Sequence, residues 1–158
     1  MRLVWYDQTI RISRMAAPAP LDTAPMVRET AGFRFTHLPP TADEIAPLMK
    51  GFVAELNMKS QKLHPVTLAA YAHRRLLDIH PFIDGNGRTA RLLMNLILVN
   101  KGYQIVVIPP ILRMEYIAAL HEAQRSRNPS DKAFFQLIAE CEIESQKDYC
   151  RMFRIDIP

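Results

Sequence analysis

Cysteine is scarce in this chain: Cys141 and Cys150 are the only two among 158 residues. No Cys/His spacing of a zinc site appears. The two thiols lie nine positions apart on a stretch that reads as helix, so they cannot face each other, and two reduced core thiols are expected. Long hydrophobic runs are also missing. The apolar stretch 92–99 is too short to cross a bilayer and is followed by Asn100-Lys101-Gly102. The start, Met1-Arg2-Leu3-Val4-Trp5-Tyr6-Asp7, lacks the apolar region of a signal peptide, so a cytoplasmic location is expected. Neither sign of charge dominates, with 20 Lys and Arg against 16 Asp and Glu and a net +4. Arg125 and Arg127 read as a solvated helix end. With no helix-turn-helix, basic arm or aromatic stacking platform, neither nucleic acid nor membrane is an expected partner.

What remains is a chain with 49% hydrophobic residues, long enough to bury a real core as one domain. Residues 1–15 alternate weakly, and 16–25, rich in Ala and Pro, read as an extended loop. Residues 1–26 are taken as an extension or linker and 27–158 as the domain proper. Val27 to Leu38 carries β-branched and aromatic residues around Gly32, the pattern of a hairpin. Pro39-Pro40-Thr41-Ala42-Asp43-Glu44 is a helix start with a capping box, in which Pro47 either kinks the helix or marks its true beginning. A second helix starts at His64-Pro65 and runs from Val66 to His80, burying Leu68, Ala69, Ala72, Leu76 and Ile79. A helix over 88–101 follows, with an expected core stripe at Leu92, Leu93, Leu96 and Ile97. Tyr103 to Ile108 reads as extended, Pro109-Pro110 interrupts it, and helices over 113–126 and 130–150 complete the chain. His64, His73 and His121 are scattered and read as structural or exposed.

The chemistry concentrates in His80-Pro81-Phe82-Ile83-Asp84-Gly85-Asn86-Gly87-Arg88-Thr89-Ala90-Arg91. Pro81 should end the preceding helix, and Phe82 should point inward to anchor the turn. Gly85-Asn86-Gly87 falls at a helix N-terminus, where unpaired N–H groups and the positive end of the macrodipole make an anion site. Glycine permits the close approach and positive φ that such a nest needs. Arg88 and Arg91 are three apart on one face, with forks suited to phosphate oxygens. A lone carboxylate there, Asp84, suits Mg²⁺, which binds through one or two carboxylates plus the phosphates themselves. His80 is a candidate general base for a hydroxyl at neutral pH, the usual role of an imidazole. Each feature alone has a plainer reading as a cap, a turn or a solvated face. Their coincidence in one loop favours the chemical one.

The run resembles the Fic family signature, His-Pro-Phe-x-(Asp/Glu)-Gly-Asn-Gly-Arg-x-x-Arg, at every defined position. Resemblance extends through Leu63-His64-Pro65-Val66, Gly102-Tyr103 and Arg113-x-x-Tyr116, over roughly residues 27 to 153. It implies an all-α core with a small β-hairpin flap, and AMP transfer from ATP to a Ser, Thr or Tyr hydroxyl of a target protein. By the resemblance, His80 takes the hydroxyl proton and Asp84 holds Mg²⁺ on the α- and β-phosphates. Gly85, Asn86 and Gly87 cradle the phosphates, and Arg88 and Arg91 neutralise the outer ones. Thr30, Ala31, Gly32 and Phe33 would lie in the flap that aligns the target. The phosphorylating Doc branch carries Lys where this chain has Gly87, which favours nucleotidyl transfer. Relatives often have paired tyrosines and an asparagine on the following helix, where this chain has Tyr116, Ile117 and Gln124. Tyr116 stacking on a purine and Gln124 bonding to it are candidate contacts, although Tyr116 reads equally well as a half-buried helix aromatic.

Many relatives carry an inhibitory (Ser/Thr)-x-x-x-Glu-(Gly/Asn) helix whose glutamate pairs with the arginine matching Arg91. No Ser or Thr of this chain has Glu four residues later. The expectation is a shortened product, or an enzyme restrained by a partner in trans; self-association is also compatible with the sequence. Competing readings are transfer of UMP or phosphocholine by the same loop, and a non-catalytic nucleotide-binding or interaction module.

Overall fold

The computed structural model describes residues 40–124 and 129–156. The expected hairpin, with Thr30, Ala31, Gly32 and Phe33, lies outside the described residues, as do the boundary near residue 27, Arg125 and Arg127. Within the described residues the chain is all-α, with five helices and no strand: α1 (Ala42–Lys59), α2 (Pro65–Ile79), α3 (Asn86–Asn100), α4 (Arg113–Ala123) and α5 (Lys132–Phe153). A 3-10 turn, Pro110–Leu112, leads into α4.

The helix starts follow from local chemistry. The Glu44 carboxylate accepts from both the Thr41 N–H and the Thr41 hydroxyl at 2.8 Å, which closes the capping box of α1. Pro47 sits inside α1 and does not begin it. The carbonyl its missing N–H would have served, on Asp43, is in an exposed first turn where water can reach it. Pro65 opens α2, and the His64 ring caps it: Nδ1 accepts from the Val66 N–H at 3.4 Å, while Nε2 lies 3.0 Å from the Tyr103 hydroxyl. His64 is thus a latch between two loops.

Helix α2 is the hub, packing on α1, α3 and α5. Leu68, Ala69, Ala72, Leu76 and Ile79 are all buried, as the spacing predicts. Ala69, Ala70 and Ala72 carry only a Cβ, so neighbouring helices come close and fill the space with Met94, Leu98, Phe134 and Ile138. The core stripe of α3 differs from the expectation. Leu92 and Leu96 are 70% and 50% exposed, whereas Ala90, Met94, Ile97 and Leu98 are buried. The run 92–99 is apolar nearly all round, so periodicity alone could not choose the face; packing against α2 chooses it, with Asn86 buried at the helix start.

Tyr103 to Ile108 forms no strand, and side chains hold it in place. Asn95 brackets Val106, accepting its N–H at 2.8 Å and donating to its carbonyl at 3.1 Å. The buried Glu142 accepts the Gln104 N–H at 3.2 Å. This pinning delivers Pro109 and Pro110 to the edge of the cleft described below. Cys141 and Cys150 both lie on α5 as free thiols. Among the described residues no helix is long and apolar enough to cross a membrane.

The rotation of α3 has a direct test. Met94→Ala should destabilise the chain by about 2–5 kcal/mol in denaturant melts, as a large-to-small core change does. Leu92→Ala should cost under about 0.5 kcal/mol. A larger loss at Leu92 than at Met94 would show the other face buried.

Candidate active site

Proline is disfavoured after a helical residue, so Pro81 stops α2 one residue earlier. His80 takes up the left-handed conformation (φ 50°, ψ 54°) and its N–H closes the helix end on the Leu76 carbonyl at 3.0 Å. Its side chain is thereby turned out of the helix and is exposed. The next five residues are tied by one amide. The Phe82 N–H donates to Asn86 Oδ1 at 3.0 Å, and Asn86 Nδ2 donates to the Phe82 carbonyl at 2.6 Å. Asn86 is buried. Its side chain is committed to the loop, which leaves its backbone N–H to join the nest. The Phe82 ring, expected to point inward, is 38% exposed; its backbone is what anchors the turn.

Gly85 caps α3 with φ 85°, a region that any side chain would strain. Thr89 Oγ1 donates to the Gly85 carbonyl at 3.0 Å. Both arginines fold back over this turn. A Cβ on Gly85 would lie 3.5 Å from the Arg88 guanidinium, and one on Gly87 would lie 3.6 Å from that of Arg91. Small residues therefore leave the first-turn N–H groups and two guanidiniums around one open end of α3. Asp84 pairs with Arg88 at 3.0 Å, but both side chains are largely exposed. Such a pair is worth at most about 1 kcal/mol, so the carboxylate is readily released to a stronger partner. His80, Asp84, Gly85, Asn86, Gly87, Arg88 and Arg91 are thus gathered in one place.

Beyond Arg91 opens a cleft of about 410 Å³, lined by Arg91, Ile108, Pro109, Pro110, Arg113, Tyr116 and Ile117. Tyr116 joins the site as a half-buried wall residue. Its hydroxyl lies 3.3 Å from His73 Nε2, and burial raises its pKa while the Arg91 charge and hydrogen bond pull it down. Gln124 is not brought to the cleft: its Nε2 donates to Asp78 Oδ1 at 2.9 Å. Asp78 is also bridged by Arg74 at 2.6 Å, and Arg74 reaches Asp131 at 2.8 Å, so Gln124 belongs to a network joining α2, α4 and the start of α5.

His73 escaped the sequence reading as a site neighbour. It is fully buried behind Tyr116 and stacks on Phe134 with ring centroids 5.3 Å apart. Its place was nonetheless legible, because Ala69, Ala72, His73 and Leu76 follow the spacing of one helix face. Burial, and then the nearby Arg91 charge, depress its pKa to about 3, so the ring is neutral.

The assembled loop has counterparts. Residues 7–98 match the sequence profile of the Fic/DOC family, more than half of the chain. The chain belongs to the Fic/DOC family. It is 46% identical over 106 residues to Protein adenylyltransferase Fic of Drosophila persimilis, covering 66% of this chain and 20% of that protein. The Drosophila grimshawi protein of the same name is 44% identical over 115 residues, 72% of this chain and 23% of its own length. Among solved structures, a Fic domain-containing signalling protein from Bacteroides thetaiotaomicron superposes with a TM-score of 0.64 at 33% identity, over 69% of this chain and 47% of that one. C. elegans Fic-1 gives 0.60 at 36% identity, over 77% and 35%. The chain thus spans about a fifth of the length of the curated relatives it matches.

His73 makes stability depend on pH in a defined direction. Its folded pKa lies below the unfolded value of about 6.5, so its contribution is complete above that pH and is lost as pH falls toward 3. Over this window it should remove up to ~1.4 kcal/mol per pH unit. Melting curves from pH 8 to 4 should show the loss in the natural chain and a shallower one in His73→Phe. Parallel curves would refute a buried neutral imidazole.

Proposed function

We propose that this chain transfers AMP from ATP to a Ser, Thr or Tyr hydroxyl of a target protein, releasing pyrophosphate. The observation that carries the reading is the buckle between His80 and Arg91, in which one amide ties Phe82, two residues after an exposed His80, to the glycine-capped start of α3. The name shared by the Drosophila relatives supports the same chemistry. In this reading the phosphates lie on the N–H groups of Gly85, Asn86 and Gly87, against Arg88 and Arg91. The target hydroxyl oxygen attacks the α-phosphorus in line, His80 accepts the hydroxyl proton, and the bond to the β-phosphate oxygen breaks. Pyrophosphate leaves with its charge spread over the guanidiniums and the helix end. Such transfer depends chiefly on positioning and preorganised charge, and the loop supplies both.

The residues fit Mg²⁺. Asp84 offers one exposed, weakly held carboxylate, and no group of three His, Cys, Asp or Glu forms a cage among the described residues. One carboxylate with the substrate phosphates is a usual Mg²⁺ arrangement. Bound there, the ion would offset phosphate charge as it develops on the leaving group. The target segment is expected to align along residues 27–38. A restraining partner in trans and self-association belong to the same reading.

His80→Ala should lower transfer by about 10²–10⁴-fold, the usual share of a general base, while Mg-ATP binding persists. The measurement is labelled ATP added to host lysate with each variant, followed by identification of the labelled protein. Equal labelling by both variants would remove His80 from the chemistry. No labelling by a folded chain that binds ATP would defeat the reading.

A further inference from the structure

We propose that Arg113 is a third guanidinium for the nucleotide, holding its outer phosphates from the α4 wall of the cleft. This rests on the nucleotide reading above and extends it. Arg91 and Arg113 line the same cavity, from α3 and α4 respectively, and no carboxylate lines it with them. Neither makes an ion pair with an acid among the described residues, although Arg74, Arg75, Arg88 and Arg151 all do. Two like charges facing one space repel, and an anion placed between them relieves that repulsion.

Geometry sets which part of the nucleotide arrives there. The Arg91 guanidinium lies against Gly87, and Arg91 also lines the cleft with Tyr116, so it spans from the nest to the cleft. A phosphate chain anchored at the nest and led past Arg91 enters the cleft with its outer phosphates first. The remaining lining suits this. Ile108, Pro109, Pro110 and Ile117 are apolar and bring no competing charge, and the planar fork of Arg113 matches phosphate oxygens. Gln124, tied to Asp78, offers nothing to this space.

The test is calorimetric titration of the 158-residue chain with ATP, ADP and AMP in Mg²⁺, comparing the natural protein with Arg113→Gln and Arg113→Lys. Arg113 is exposed, so melting temperatures should change little. Arg113→Gln should weaken ATP by ~10–100-fold, the usual worth of a hydrogen bond to a charged group. ADP should weaken less and AMP not at all, and Arg113→Lys should recover part of the ATP loss. The same factor for all three nucleotides would place Arg113 on the base, ribose or α-phosphate and overturn the proposal. No change for any would also overturn it and leave Arg113 to the solvent or to an acidic target segment. If the natural chain binds none of the three, both this inference and the nucleotide reading fall. If the phosphate-dependent loss appears but no protein is ever labelled, the inference stands and AMP transfer falls.

Discussion

The two hydrogen bonds between the Asn86 amide and the Phe82 backbone are the constraint on which the site depends. They turn the chain from the end of α2 to the start of α3 and hold that turn with Asn86 buried. A buried amide left without its partners costs the full desolvation of its polar atoms, so the turn has little freedom to open. Everything chemical hangs from it. His80 is displayed at one end and the Gly85 cap at the other, and the rotation of α3 that brings Arg91 to the cleft starts there.

The scaffold supports this buckle from behind. The alanines of α2 let α3 pack closely, so the two helix ends that meet at the loop cannot drift apart. His73 and Phe134 back Tyr116, and Tyr116 backs Arg91, so that a buried aromatic stack ends in a charge at the cleft. On the far side, Asn95 and Glu142 fix the connection that carries Pro109 and Pro110. Polar residues are thus buried chiefly where they tie an irregular segment to a helix, which is where a loop-built cleft needs rigidity.

Much of this was legible in the residues. Pro65 and the Thr41–Glu44 box marked two helix starts correctly, because each is a local interaction that needs no tertiary partner. The face of α2 was legible because its apolar and polar residues alternate with helical period. The face of α3 was not, since Leu92 to Val99 is apolar on several sides and packing chose among them. Asn86 was read as a turn and nest residue, yet its side chain closes the loop; its spacing of four from Phe82, across Ile83-Asp84-Gly85, was the available signal. Gln124 was placed by analogy to a base-contacting position; its bond to Asp78, from a distant part of the chain, could not be read from the sequence. The same holds for Arg113, whose company in the cleft only the fold brings about.

We propose that the buckle between His80 and Arg91 moves a nucleotidyl group rather than a phosphoryl group. Incubation with Mg²⁺ and ATP labelled at either the α- or the γ-phosphorus distinguishes them directly. The expected result is α-label bound covalently to protein and γ-label released in pyrophosphate. Protein carrying the γ-label would contradict it.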